Sequence, residues 1–432
     1  MKSYLNRPVV LAMRIGLMIR NDHIETMFQT GLSIHLLTED ASAVNDPRFA
    51  SVRVLPPDTT TETMADEIYA ELQRTNSECA VKFLEIDITP TGQANQRHGV
   101  SWARPASDKI ARDKSLQRAH LREAGLPVLL SIPIGDGVDV DAAIGQVGTP
   151  FVVKPTRGAS SAKVELVDDP ARARELLAEI REMAVTGETH FYEDGFPEAW
   201  ALIEEYLPGQ EITVDGVVVD GRFYLGGINT KSFPNPPYFE EDLYVMPFGD
   251  LPAETAVRGL MDSLVSTLDL RTTLVNAEMR RDADGNFRFV EFSTRISGGH
   301  VYRNVRDVHA VDLVKIFLIA ALGDTESAAE LASSRHPGRV ATCIRFLYRT
   351  GVVAENSAGD AARSPYFREY YPIVERGEKI WSAPLSYEQV ALLSVWGPYD
   401  PDNHPAGIAK VADDVEALLD LDVRPFEDGV SH

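Results

Sequence analysis

The sequence predicts a mixed α/β fold, α+β in part, from three observations. Between residues 8 and 105, short apolar runs alternate with a helically spaced segment, the pattern of a parallel-sheet unit. Between 151 and 293 the pattern changes to strand pairs joined by short turns, with helices at 168–185 and 254–270. From about residue 335 the chain becomes rich in Pro, Tyr and Arg among further short strands.

Each element has a local reason. "PVVLAM" (8–13), "SIHLLTED" (33–40), "VRVLP" (52–56) and "CAVKFLEID" (79–87) read as strands of the first unit. "ETMADEIYAELQRTN" (62–76) reads as a helix through Met64, Ile68 and Leu72. No Gly-x-Gly-x-x-Gly follows the first strand, so the unit lacks a dinucleotide fingerprint and reads as a plain Rossmann-like support. "SDKIARDKSLQRAHLREA" (107–124) predicts one helix, capped by Ser107 and ended by Gly125 and Pro127. "FVVKPTRGASSAKVELV" (151–167) is strand, small-residue loop, strand; a helix then starts at Asp169-Pro170. Residues 200–228 hold a strand, a connector and a hairpin turning at Asp220-Gly221, and another helix is predicted near 307–323.

Bulk properties narrow the function. A length of 432 residues suggests two to four domains at roughly 100–200 residues each. The net charge of −23 argues against a nucleic-acid partner, which asks for lysine and arginine against phosphate. No run of about 18 apolar residues predicts a membrane span, and no signal peptide is read at the N-terminus. Cys79 and Cys343 cannot form a disulfide framework, so a reducing cytoplasm is the expected setting.

The stretch "VNAEMRRDADGNFRFVEFSTRISGG" (275–299) carries a charge problem. With a two-residue turn at Asp284-Gly285, Glu278 lies directly across from Glu291, and like charges directly opposite destabilise a hairpin. In that register Val275, Ala277, Met279, Val290 and Phe292 share an apolar face. Asn276, Glu278, Arg280, Phe289, Glu291, Ser293 and Arg295 share the other. Two readings fit: an exposed face compensated by Arg280 and Arg295, whose ion pairs contribute little, or a divalent cation held by both carboxylates together with substrate phosphates.

The second reading requires phosphate-binding groups, and candidates exist. Lys154 closes a strand before Gly158, Ala159, Ser160 and Ser161, whose small side chains let backbone N–H groups approach a phosphate; a plain hairpin loop is the competing reading. Lys114 lies within the predicted helix, where a solvated lysine is the ordinary case. "EEYLPGQE" (204–211) is either a surface connector or a linker that meets an adenine edge, with Glu211 at a ribose. The 220–221 hairpin places Glu211 across from Thr230, with Lys231 adjacent.

Taken in order, these segments resemble the ATP-grasp superfamily, and more narrowly the ATP-dependent carboxylate–amine ligases of the bacterial L-amino-acid ligase type, such as bacilysin synthetase and the dapdiamide ligase. The resemblance covers about residues 105–325 and implies an ATP-grasp fold preceded by the Rossmann-like domain. The implied division is 1–105, 106–330 with a small lid subdomain at about 145–207, and a closing region 331–432. It implies ATP bound by Lys114, Lys154, Ser160, Ser161, Glu204, Glu205, Leu207, Glu211 and Lys231, and Mg²⁺ (or Mn²⁺) on Glu278, Glu291 and Ser293. Arg295, with Lys231, is implied at the reacting centre, and His300 as a substrate contact. The aromatic segment 232–247 reads as a pocket wall, a lid or a packed surface loop. Two positions depart from the family pattern: Ser293 stands where many members have asparagine, and Lys163 where glycine is common.

The implied reaction forms an amide or peptide bond through an acyl phosphate and releases ADP and phosphate, with small-molecule carboxylate and amine substrates and dipeptide antibiotic synthesis as the expected context. Such ligases are often dimers. The rivals are an ATP-grasp enzyme with another acceptor, of carboxylase or purine-pathway type, and an ATP-binding protein without catalysis.

Overall fold

The computed structural model describes residues 4–57, 59–186, 196–233 and 236–426. The first unit is a parallel sheet in the order Ser51–Val54, Ser33–Thr38, Pro8–Ala12, Ala80–Lys82. Helix Thr61–Thr75 covers one face, burying Met64, Ile68 and Leu72 against Val10, Ala12 and Leu37. The strand expected over 79–87 stops at Lys82, and a single 3₁₀ turn follows at Glu85–Asp87. The cause is a buried ion pair. Arg14, fully buried, donates Nε to Asp87 Oδ1 at 3.1 Å and a guanidinium nitrogen to the Ile86 carbonyl at 2.9 Å, which bends the chain and turns Glu85 away from the sheet.

A larger antiparallel sheet follows in the order Phe287–Ser293, Thr273–Arg281, Glu211–Val219, Arg222–Lys231, Leu243–Met246, Val340–Leu347, Ala391–Pro398, Phe367–Pro372. Helix Leu251–Thr267 packs Val257, Met261 and Leu264 on one face, against Val214, Ala277 and Phe289. Helix Leu313–Ala321 packs on the other face, in one core with Val217, Leu274 and the first unit's Leu11 and Phe83. That shared core joins the first unit to the large sheet. A small antiparallel sheet in the order Ser131–Ile134, Ala201–Glu205, Phe151–Pro155, Glu165–Val167 is backed by helices Val140–Val147 and Pro170–Thr186.

Two predicted helices are each broken in two. The segment 107–124 forms helices Pro105–Ala111 and Lys114–Glu123. Asp113 interrupts it, because its carboxylate accepts from Ser115 N and Leu116 N and starts the second helix. Ser107 is not a cap; its hydroxyl donates to the Leu268 carbonyl at 2.6 Å. The segment near 307–323 forms Val301–His309 and Leu313–Ala321, separated by Ala310 in the left-handed region and restarted by the Asp312 cap.

Two β-bulges adjust the registers that matter. In the 273–293 pair the loop is longer than two residues. Arg281 pairs with Phe287, and the Asp282 carboxylate accepts from Asp284 N and Asn286 N across the turn. One extra residue, Val290, then restores Glu278 opposite Glu291 and Asn276 opposite Ser293. The bulge exchanges two predicted faces: Phe289 lies in the core, and Val290 lines the cleft. In the 211–231 pair, a bulge at Gly226 moves Lys231, rather than Thr230, opposite Glu211.

The Gly226 bulge has little room. A Cβ there would stand 2.8 Å from Leu313 Cδ1 and 3.0 Å from the Asp215 carbonyl oxygen. Gly226→Val is expected to lower the unfolding free energy by about 1–3 kcal/mol through overpacking. Urea denaturation checks this, and unchanged stability would show that the bulge accommodates a side chain.

Candidate active site

Three lysines converge between the small and large sheets, each delivered by a different local device. Lys114 is the first residue of its helix rather than a mid-helix lysine, and its backbone N–H donates to the Thr156 carbonyl at 2.9 Å, tying it to the small-residue loop. Lys154 ends strand Phe151–Pro155 and is 4 % exposed. Lys231 ends strand Arg222–Lys231 opposite Glu211.

Each lysine meets carboxylates. Lys154 Nζ lies 2.6 Å from Glu204, whose other oxygen accepts from Arg118 Nε at 2.7 Å. Lys231 Nζ stands 2.9 Å from Glu211, 3.0 Å from Glu278 and 3.4 Å from Glu241. It also lies over the rings of Phe233 and Tyr244 at 5.3 and 5.2 Å. Burial would lower its pKa, but Glu211 and Glu278 outweigh that and raise it well above the ordinary lysine value. Lys114 Nζ is 3.3 Å from Glu291.

Glu278 and Glu291 thus face each other with a different lysine on each. Their proton affinities move apart. Burial and the neighbouring Glu291 raise Glu278, whereas at Glu291 the lysines, Lys114 foremost, overcome burial and lower it. Two like charges this close cannot both ionise freely without added positive charge. Among the described residues no group of three His, Cys, Asp or Glu is arranged to hold a metal. A hard cation that keeps water and phosphate ligands asks for only one or two carboxylates, so the facing pair fits Mg²⁺ or Mn²⁺.

The cleft has two compartments that share Lys114, Gly158–Ser160, Glu241, Glu278 and Glu291 as a common wall. The first, about 120 Å³, is lined by Lys154, Ser160, Ser161, Glu204, Glu205, Tyr206, Leu207 and Glu211. Ser160 and Ser161 both have φ near +55°, so the loop bends sharply over this compartment. Arg280 forms part of its wall, beneath the rings of Tyr206, Phe233 and Phe239 and 3.4 Å from Glu211. The 232–247 segment therefore contributes Phe233, Phe239 and Glu241 here; its Pro234 and Asn235 lie outside the described residues.

The second compartment, about 330 Å³, holds Ser293, Arg295, Ser297, Gly298, Gly299 and His300, with Phe346, Tyr371, Ile373 and Leu392 from the last strands. Burial lowers the His300 pKa to about 4, and its Nδ1 sits 3.2 Å from the Ser394 hydroxyl. Arg295 Nε donates to Glu85 at 2.7 Å, and Ser293 Oγ donates to the same carboxylate oxygen at 2.9 Å.

The expected residues lie along this one cleft. Ser293 is turned to Glu85 rather than to the glutamate pair, and Lys163 reaches Glu179 at 2.7 Å on helix Pro170–Thr186. Sequence reading missed Glu85, Glu241, Arg118 and Arg20. Arg118 had a helical-face signal, since it lies four residues after Lys114 on a helix. Glu85 and Arg20 come from the first unit and have no local signal.

Residues 147–303 match the family model described as ATP-grasp domain. The chain carries an ATP-grasp domain. Alanine–anticapsin ligase of Bacillus subtilis (strain 168) is 24 % identical over 272 residues, covering 60 % of this chain and 57 % of that protein. Carnosine synthase 1 of Homo sapiens is 26 % identical over 315 residues, covering 68 % of this chain and 37 % of that one. The chain thus spans little more than half the length of the first relative. The crystal structure of L-amino acid ligase from Bacillus licheniformis superposes with a TM-score of 0.79 at 16 % identity, covering 97 % of this chain and 99 % of that one, so the ATP-grasp fold extends to the flanking units. Among the described residues no helix is long and apolar enough to cross a membrane.

Glu204 gives the ATP-grasp cleft a pH signature. Burial pushes its pKa up, but Arg118 and Lys154 prevail and hold it at about 2, below the ordinary 4.5. A carboxylate depressed on folding stabilises fully above its unfolded pKa and loses that stabilisation as pH falls toward its folded one. About 3 kcal/mol is therefore expected to drain away between about pH 4.5 and pH 2. Denaturation of the chain and of Glu204→Gln from about pH 5 to about pH 2.5 checks this. The stability gap between them should narrow with acid; a constant gap would show that Glu204 is not the titrating group.

Proposed function

We propose that this protein is an ATP-dependent carboxylate–amine ligase that joins two amino acids, or an acyl-amino acid and an amino acid, through an acyl phosphate with release of ADP and phosphate. The observation that carries the reading is the shared wall. Lys114, Glu278 and Glu291 stand between a first compartment lined by Lys154, Glu204–Leu207 and Glu211 and a second, larger one that contains Arg295, and Lys231 pairs with Glu278.

In this reading the adenine rests against Glu204–Leu207, the ribose meets Glu211, and the phosphates lie under the Gly158–Ser161 backbone. Lys114, Lys154 and Lys231 neutralise the phosphates; phosphoryl transfer needs positioning and charge compensation more than covalent help. Glu278 and Glu291 would hold a divalent cation, which would supply further positive charge to the phosphates. A substrate carboxylate oxygen attacks the γ-phosphorus and the bond to ADP breaks. An amine then attacks the acyl carbon, loses a proton, and phosphate leaves with the electrons of the broken C–O bond. Arg295 stabilises the oxyanion that develops at that carbon.

The second compartment supports an organic acceptor. Its volume of about 330 Å³ and the apolar wall of Phe346, Tyr371, Ile373 and Leu392 exceed what bicarbonate requires. The printed activities of the relatives, an alanine–anticapsin ligase and a carnosine synthase, point the same way.

A pairwise amino-acid screen read by mass spectrometry and ADP release tests the proposal. ADP and phosphate should form only with both substrates present; AMP and pyrophosphate would refute the acyl-phosphate route. Glu291→Ala is expected to abolish turnover, and Arg295→Ala to lower kcat roughly 10²–10³-fold. Retained activity in Glu291→Ala would remove it from the cation site.

A further inference from the structure

Arg20 is a buried cation with no carboxylate of a described residue in direct contact. It ends the one-turn helix Met18–Arg20 in the first unit and is 5 % exposed. One guanidinium nitrogen donates to the Ser297 carbonyl at 2.6 Å, whereas its Nε is buried without a hydrogen-bond partner. No carboxylate of a described residue pairs with it. Burial and the neighbouring Arg295 lower its pKa to about 10, against the weaker opposing pull of Asp22, Asp215 and Glu85. A buried guanidinium with an unpartnered N–H and no carboxylate in contact is costly, so a site that keeps one is suited to an anion supplied from outside.

The surroundings say which compartment the anion enters. Arg20 lines the second compartment and is absent from the wall of the first. Arg295 there is already paired with Glu85, and Arg112 lies 3.5 Å from the same carboxylate. Arg20 therefore offers the guanidinium with an unpartnered donor and no carboxylate in contact. Beside it the lining is aliphatic: Ile15 and Ile19, unusually exposed at 41 % and 48 %, with Leu84 and Ile86. A guanidinium donor next to an aliphatic wall matches an amino acid that presents a carboxylate and an aliphatic side chain.

The reaction decides which substrate this is. The donor's carboxylate must reach the terminal phosphate at the shared wall, and it ceases to be a carboxylate on activation. The acceptor's α-carboxylate stays ionised throughout and sits one carbon from the attacking amine. Arg20 is fastened to Ser297, two residues beyond Arg295. A carboxylate on Arg20 therefore brings the α-amine toward the acyl carbon that Arg295 addresses.

Resting on the ligase reading above, we infer that Arg20 binds the α-carboxylate of the acceptor, an α-amino acid with an aliphatic side chain that packs against Ile15 and Ile19. Hydroxylamine, which carries no carboxylate, first identifies the donor: each of the common amino acids, free or N-acylated, is incubated with ATP, Mg²⁺ and hydroxylamine, and hydroxamate is measured. L-leucine and L-leucinamide are then compared as acceptors with that donor. The unaltered chain should prefer leucine by roughly 10- to 100-fold in kcat/KM, the scale of a hydrogen bond to a charged group. Arg20→Gln should bring the two acceptors to near equality by raising the KM for leucine, and Arg20→Lys should keep part of the preference. Thermal melting establishes that both variants fold, and the ratio between acceptors is read within one preparation. A wild-type preference retained by Arg20→Gln, or a change confined to the donor's KM, would overturn the assignment. So would a hydroxamate-forming enzyme that uses neither acceptor. A chain that forms no hydroxamate with any amino acid, free or N-acylated, refutes the ligase reading itself.

Discussion

Two carboxylates held opposite each other in a buried strand pair repel, and the cleft is organised around that repulsion. Glu278 and Glu291 are fixed face to face by the backbone register, so neither can move away without breaking the pair. The fold answers by giving each its own lysine, Lys231 at 3.0 Å and Lys114 at 3.3 Å. Those lysines must then be delivered from different elements: one from a strand end in the same sheet, the other from the first turn of a helix fastened to the opposite loop. The pair remains divided in proton affinity, one raised and one lowered. Additional positive charge relieves the repulsion and lowers the cost of ionising Glu278.

The hairpin shows how local arithmetic can reach a correct register by a different route. A two-residue turn at Asp284-Gly285 predicts Glu278 opposite Glu291, and they are opposite. The turn, however, spans Asp282 to Asn286, and the register beyond it is shifted by one until Val290 bulges out and shifts it back. The error therefore surfaces only at Phe289 and Val290, whose faces are exchanged. In the 211–231 pair nothing compensates for the bulge at Gly226, so Lys231 rather than Thr230 meets Glu211. Bulges depend on what packs behind the strand, here Leu313 against Gly226, and that information is not in the hairpin's own sequence.

The lysines, the glutamate pair and the loop were legible because each belongs to a short segment with its own pattern. Glu85 was not. "CAVKFLEID" reads as one strand, and the burial of Arg14 against Asp87 bends it at residue 85. Arg20 likewise has no local pattern that marks it. Its position depends on the core shared by the first unit and helix Leu313–Ala321, which brings residues about 275 positions apart into contact. Non-local burial of this kind leaves no periodicity to read.

These two residues change what the first unit is. A plain support would contribute apolar surface and nothing to the cleft. Instead, Arg14 and Asp87 lock the turn that carries Glu85, and Glu85 holds Arg295 and Ser293 in place. An arginine aimed at a reacting carbon must be oriented before substrate arrives, or the substrate's binding energy is consumed in orienting it. Glu85 supplies that orientation. Because the same carboxylate neutralises Arg295, the compartment's positive charge is left to Arg20, one turn of chain from the aliphatic wall. In the proposed ligase reaction, the first unit thus determines both how Arg295 is aimed and where the second substrate's charge rests.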